Sequence, residues 1–161
     1  EKFIEIYNET MDRDNAEKYY YFEREFYTAM QHDLSNNSII FYAENSDGDI
    51  IASSIILHCN GKLTYHLSGV KTEFRGLAPT NLLLYKAALW GAENCCRIFH
   101  LGGGVGARED SLYRFKASFY RELPRDYFIG KKVFNEAIYN ELVKIHAVEN
   151  TGNFFPAYRG K

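Results

Sequence analysis

The sequence is poor in cysteine, in long apolar runs and in excess charge of either sign. Three cysteines, two of them adjacent at Cys95 and Cys96, cannot build a disulfide framework and fit no zinc spacing. A reducing, cytoplasmic setting is therefore expected, with no bound metal. No stretch approaches the ~20 apolar residues that a membrane helix needs, and none has the form of a signal peptide. A net charge of -2 exerts no general pull on nucleic acid, although a local basic patch would not register in that sum. Internal repeats, linkers and low-complexity segments are also missing from the sequence.

What remains is 161 residues, 46% hydrophobic and 25% charged, enough for one ordinary globular domain with a real core. That domain is expected over 1–148, followed by a loose tail over 149–161. The chain opens at Glu1 directly in an amphipathic pattern, so a segment of a longer protein is expected, its partner an N-terminal domain or a second copy. The 13 tyrosines and 12 phenylalanines either fill a core or line a cleft; composition does not separate the two.

Along the chain, Phe3, Ile4, Tyr7 and Met11 follow helical spacing, as do Phe22, Phe26, Ala29 and Met30, which predicts helices over 2–13 and 19–33. Ser38 to Glu44 and Ile50 to Cys59 read as strands around a Ser46-Asp47-Gly48-Asp49 turn. Asn60-Gly61 is a strong hairpin signal, because both turn positions need positive φ, and it joins the second strand to a third over Lys62–Ser68. Pro79 suits a helix start, and the apolar run to Asn94 predicts a helix lying against the sheet. Arg97 to Leu101 reads as a short strand beside the third. From Asp110 a helix follows, with Leu112, Phe115 and Phe119 toward the core and Tyr113, Lys116 and Tyr120 on the next stripe. Tyr127 to Val133 reads as a strand and Asn135 to Ala147 as a last helix.

Two loops at adjacent strand ends mark the expected site. Gly102, Gly103, Gly104 and Gly106 lack the Gly-Lys-Ser/Thr ending of a phosphate loop; they suit a tight turn that needs positive φ and lets backbone approach a substrate. The loop from Lys71 to Thr80 leads into a helix N-terminus, where free N–H groups favour an anion, and Arg75 adds a charge there. Lys116, between Phe115 and Phe119, is either a solvated helix residue or a cation aimed at a developing oxyanion. His66 and His100 lie on strands expected to be neighbours, as a general base or as hydrogen-bonded structural histidines. Glu109-Asp110 caps a helix start, and no Ser/His/Asp or Cys/His order suggests a nucleophile.

The words HLSGVKTEFRGLAPTNLLLYKAALWGAE, HLGGGVG and LYRFKASFYRE, in this order of elements, resemble the FemABX-like branch of the GNAT acyltransferase superfamily, from about Phe3 to Leu142. The resemblance implies an α/β (α+β) GNAT-like fold: a mixed, largely antiparallel central sheet with helices on both faces, splayed between the third strand and the strand Arg97–Leu101. The acyl donor would enter that splay. In the FemABX branch two such domains transfer amino acids from aminoacyl-tRNA to peptidoglycan precursors, and its Phe-Lys pair falls on Phe115 and Lys116. The lysine would stabilise charge as the ester is attacked.

On this resemblance Lys116 is the expected catalytic residue. Phe115, Arg75, Asn81, His66, Ser68, Gly102, Gly103 and Tyr120 are the expected donor or substrate contacts. No tightly bound cofactor is expected; the donor would be aminoacyl-tRNA or acetyl-CoA, and the acceptor a small-molecule or peptide amine. Ordinary acetyl-CoA members carry an Arg/Gln-x-x-Gly-x-Gly/Ala loop. The nearest match, Arg75-Gly76-Leu77-Ala78-Pro79-Thr80, has Ala78 and Thr80 where those glycines belong, and Pro79 removes an amide donor. Acetyl-CoA-dependent acetylation of a small amine and a non-catalytic binding module stay open as other readings.

Overall fold

The computed structural model describes residues 1–146 and 154–160. The chain forms two compact units, Glu1–Arg121 and Glu122–Lys161. In the first, α1 (Lys2–Arg13) and α2 (Arg24–Asp33) precede strands β1 (Ser38–Glu44), β2 (Ile50–Cys59) and β3 (Lys62–Val70); α3 (Pro79–Glu93), β4 (Ile98–His100) and α4 (Ser111–Ala117) follow. The sheet order is β1-β2-β3-β4. The first two pairings are antiparallel and the last is parallel, so the sheet is mixed and largely antiparallel, as expected of a GNAT-like α/β fold.

Alternation along the strands sends side chains to two faces, and each face has its own helix cover. On one, Ile55 packs with Phe3 and Tyr7 of α1, joined by Phe22, Tyr27 and Met30. On the other, Ile56 and Leu63 pack with Ala87 of α3, and Ala43, Ile51 and Ala52 with Leu83. The hairpin turn has the positive φ its sequence requires, 48° at Asn60 and 70° at Gly61.

Several expectations change in three dimensions. The second helix does not begin at 19. A 3-10 turn over Lys18–Tyr20 is followed by extended backbone at Tyr21 and Glu23. The break places the Phe22 ring between Tyr7 and Phe26, at centroid distances of 6.2 and 4.3 Å, so packing overrides the helical periodicity. The strand predicted over Tyr127–Val133 does not form: Tyr127 and Phe128 are 83% and 85% exposed, and β propensity without a partner strand makes no ladder. Leu112 and Phe119 are partly exposed rather than core-facing. Helix α3 buries Leu83, Leu84, Ala87 and Gly91 against the sheet but leaves Leu82, Tyr85 and Leu89 exposed. The strand expected over Arg97–Leu101 shortens to β4.

The second unit contains α5 (Glu136–Ile145). Residues 154–160 pack on it: Phe155 stacks on Tyr139, and the Ala157 N–H donates to the Tyr139 hydroxyl at 2.9 Å. The predicted helix end at Ala147 and the start of the predicted tail, 149–153, lie outside the described residues, as does Lys161.

Helix α1 is held on β3 by contacts that leave no room for a side chain. The Thr10 hydroxyl accepts the Val70 N–H at 2.9 Å, and the Arg13 guanidinium donates to the Val70 carbonyl at 3.0 Å. A Cβ on Gly69 would stand 2.5 Å from the Ile6 carbonyl oxygen and 2.8 Å from the Tyr7 Cα. Backbone cannot yield as a flexible side chain does, so Gly69→Ala is expected to cost about 3 kcal/mol, the upper end for overpacking. Urea unfolding checks this, with Gly76→Ala, whose Cβ would meet nothing within 4 Å, as the control expected to be near neutral.

Candidate active site

Strands β3 and β4 pair over three positions only, Lys62↔Ile98, Leu63↔Phe99 and Thr64↔His100. From Tyr65 onward they share no ladder, and β4 itself ends at His100. A bulge on β3 lies just past the last pair. Ile56 faces Tyr65 and Ile55 faces Leu67, so His66 has no partner on β2. Such an extra residue bends the strand and re-aims its neighbours.

The chain leaves β4 through Gly102, at φ 76°, and Gly106, at φ 61°, where residues with a Cβ would be strained. Asp110 fastens this loop to the next helix. As N-cap of α4 its carboxylate accepts the Tyr113 N–H at 2.8 Å, and its other oxygen accepts the Val105 N–H at 2.9 Å. Those bonds, the Tyr113 one foremost, hold its pKa below the usual aspartate value. A Cβ on Gly104 would collide with the Asp110 carboxylate and the Arg108 carbonyl, so glycine is required for loop and cap to close on each other.

One turn and a half later, α4 returns Lys116 to the loop. Its ammonium donates to the Gly103 carbonyl at 2.9 Å and lies over the Tyr65 ring, 5.7 Å from the centroid. A Cβ on Gly102 would be 3.3 Å from Nζ, so a side chain there would press on the ammonium. The side chain is half-buried; burial lowers its pKa and the Asp110 charge opposes that. Phe115 packs edge-on against Phe119 at 5.4 Å.

The structure thus gathers Lys116, Gly102 and Gly103 of the expected set. It adds Tyr65, which the sequence did not single out. Ser68 lies nearby along β3, its hydroxyl 2.8 Å from that of Ser54 and donating to the Ser53 carbonyl at 3.1 Å. His66, at the bulge, keeps part of its ring in solvent, and partial desolvation lowers its pKa. His100 pairs in register with Thr64. Tyr120 is exposed beyond the end of α4. Arg75 and Asn81 are exposed at the start of α3 and take no part in the Lys116 contacts above. Among the described residues no group of His, Cys, Asp and Glu is placed to hold a metal.

The start of α3 fits a coenzyme A pyrophosphate poorly. Pro79 at the first turn has no N–H, Ala78 offers no side-chain cap, and the Asn81 N–H already donates to the Ala78 carbonyl at 3.0 Å. The Thr72 N–H is taken by the Glu9 carboxylate at 2.7 Å.

With this geometry in view, comparison with known proteins identifies the class. The profile described as "Acetyltransferase (GNAT) domain" matches residues 1–117, and the chain belongs to that family. It is an acyltransferase domain, which implies an acyl donor and an amine acceptor. It is also 28% identical over 123 residues to the UDP-N-acetylmuramoylpentapeptide-lysine N(6)-alanyltransferase of Weissella viridescens. That match covers 74% of this chain and 36% of the relative, so the chain spans about a third of that protein's length. Among solved structures it resembles a variant of the BH1408 protein from Bacillus halodurans, at TM-score 0.56 and 10% identity over 81% of this chain and 88% of that one. It also resembles the aminoglycoside antibiotic 6'-N-acetyltransferase of Acinetobacter baumannii, at TM-score 0.52 and 13% identity over 70% and 83%. At those identities the likeness is one of fold.

The Asp110 staple generates a pH prediction. A carboxylate whose folded pKa is depressed contributes stability that is fully present above its unfolded value, about 3.9, and is lost as pH falls through the folded value. The urea midpoint of Asp110→Ala should therefore lie below wild type at pH 7. The two should converge at acid pH below the ordinary aspartate range.

Proposed function

We propose that this chain moves an aminoacyl group from an activated ester to an amine, with a peptidoglycan precursor peptide as the acceptor class and aminoacyl-tRNA as the donor. The observation that carries the reading is the Lys116 ammonium, held by the Gly103 carbonyl just beyond the end of β4 and over the Tyr65 ring of β3. The Weissella viridescens relative, an alanyltransferase acting on a muramoylpentapeptide lysine by its name, supports the substrate class. The poor fit of the α3 start to a pyrophosphate favours a donor other than coenzyme A.

The chemistry needs little more from the protein. The acceptor amine attacks the ester carbonyl, a C–N bond forms, and the carbonyl oxygen becomes an oxyanion. Collapse breaks the C–O bond, and the departing hydroxyl leaves with the proton given up by the amine. A preorganised cation at the oxyanion lowers the barrier because it is already oriented and partly desolvated when the charge develops. In this reading Lys116 is that cation. Among the described residues its one hydrogen bond is to Gly103, which leaves N–H groups for an incoming oxygen.

A second reading has one observation in its favour: the matching family profile is described as an acetyltransferase domain, and acetylation of a small amine by acetyl-CoA would use the same cation. Lys116→Met, which keeps the side chain's bulk, separates the roles of charge and packing. With alanyl-tRNA and a muramoylpentapeptide acceptor, it is expected to lower kcat about 10²- to 10³-fold, the range for losing one oxyanion donor, with a small change in KM. Turnover equal to wild type would remove Lys116 from the mechanism. Activity with acetyl-CoA alone would favour the second reading.

A further inference from the structure

Strand β2 carries a polar interruption that packing does not explain. Ser53 and Ser54 are both fully buried in the middle of the sheet, within the otherwise apolar run IIASSIIL. A buried hydroxyl is costly unless hydrogen-bonded, and apolar residues would fill the same space without that demand. Ser53 donates to the Phe41 carbonyl at 3.2 Å, a local bond across the β1/β2 ladder. Ser54 instead points across to β3, where it meets Ser68, its partner in register, at 2.8 Å. Tyr65 lies on the same face as that pair, packed with Ile56, which makes one grouping of three hydroxyl-bearing side chains.

Period-two alternation would not assemble it. Tyr65 and Leu67 would share a face and Ser68 would point to the other. The bulge at His66 resets the alternation. Leu67 goes to the α1 side with Ile55, Tyr65 stays on the α3 side with Ile56, and Ser68 joins Tyr65 opposite Ser54. The outcome is a tyrosine whose ring lies under the Lys116 ammonium, 5.7 Å from it. A cation over an aromatic face is attracted by the ring quadrupole, most strongly where both are partly desolvated.

We infer that Tyr65 is a positioning residue for acyl transfer, its ring holding the Lys116 ammonium beside the glycine loop that follows β4. The inference rests on the acyl-transfer reading for its chemistry, but the contact it asserts is testable without turnover. Burial raises the Tyr65 pKa above the ordinary value, so the ring stays neutral at physiological pH.

The test compares two replacements of nearly equal volume in the full chain. Tyr65→Phe keeps the ring and its negative face and removes only the hydroxyl. Tyr65→pentafluorophenylalanine keeps the volume and reverses the quadrupole. The Lys116 pKa is read by carbon-13 NMR of labelled lysine, with Lys116→Met assigning the signal, and kcat and KM are read alongside. Relative to Tyr65→Phe, the fluorinated variant is expected to titrate Lys116 at lower pH, because the charged form loses its partner. Its kcat is expected to fall about tenfold with KM little changed. Identical Lys116 titration in the two variants would overturn the positioning role, as would a change confined to KM. A lowered Lys116 pKa with unchanged kcat would instead overturn the acyl-transfer reading and leave the contact standing. Coincident urea midpoints establish that the two variants fold alike.

Discussion

The candidate site depends on β3 and β4 pairing for only three residues. Beyond Thr64 the two strands share no ladder. The bulge at His66 lies on β3 just past that point, and the glycines follow the end of β4. One re-aims the side chains of β3, and the other lets the chain turn back tightly enough for α4 to deliver Lys116. Both devices are needed: a regular β3 would point Ser68 away from Tyr65, and a side chain at Gly104 would unseat Asp110.

The remainder of the first unit fixes this geometry from outside. Helix α1 is seated on β3 through the missing side chain of Gly69 and the Thr10 and Arg13 bonds to Val70, while α3 covers the opposite face through Leu83, Leu84 and Ala87. β3 is therefore clamped from both sides just where it must depart from its neighbour. That is the strand on which a small displacement would be felt most, since Tyr65, Ser68 and the bulge all belong to it. Rigid elements hold a reactive group more closely than loops do, and Lys116 is carried by a helix whose start is stapled through Asp110.

Much of this was legible in the residues alone. α1, β1, β2 and the Asn60-Gly61 turn were readable because their signals are local: helical spacing, β-branched runs and two positions that demand positive φ. Lys116, Gly102 and Gly103 were readable because glycine and lysine in that order resemble a known family. Tyr65 and Ser54 were not. A tyrosine in a strand and a serine in an apolar run carry no signal of their own. What joins them is the pairing register and its one-residue slip, which depends on residues on another strand. The strand expected at Tyr127–Val133 failed for the converse reason, since the residue types were right and the partner strand was lacking. Phe22 illustrates a third case, in which a helical pattern is broken so that one ring can fill a gap between others.

The central claim is that the Lys116 ammonium meets the oxyanion as it forms. A structure of the chain bound to a phosphonate that mimics the tetrahedral intermediate of aminoacyl ester attack tests it most directly. The lysine Nζ should leave or share the Gly103 carbonyl and stand within hydrogen-bond distance of the phosphonate oxygen, still over the Tyr65 ring. A phosphonate bound with its oxygen held by other groups, and Lys116 unmoved on Gly103, would contradict the claim.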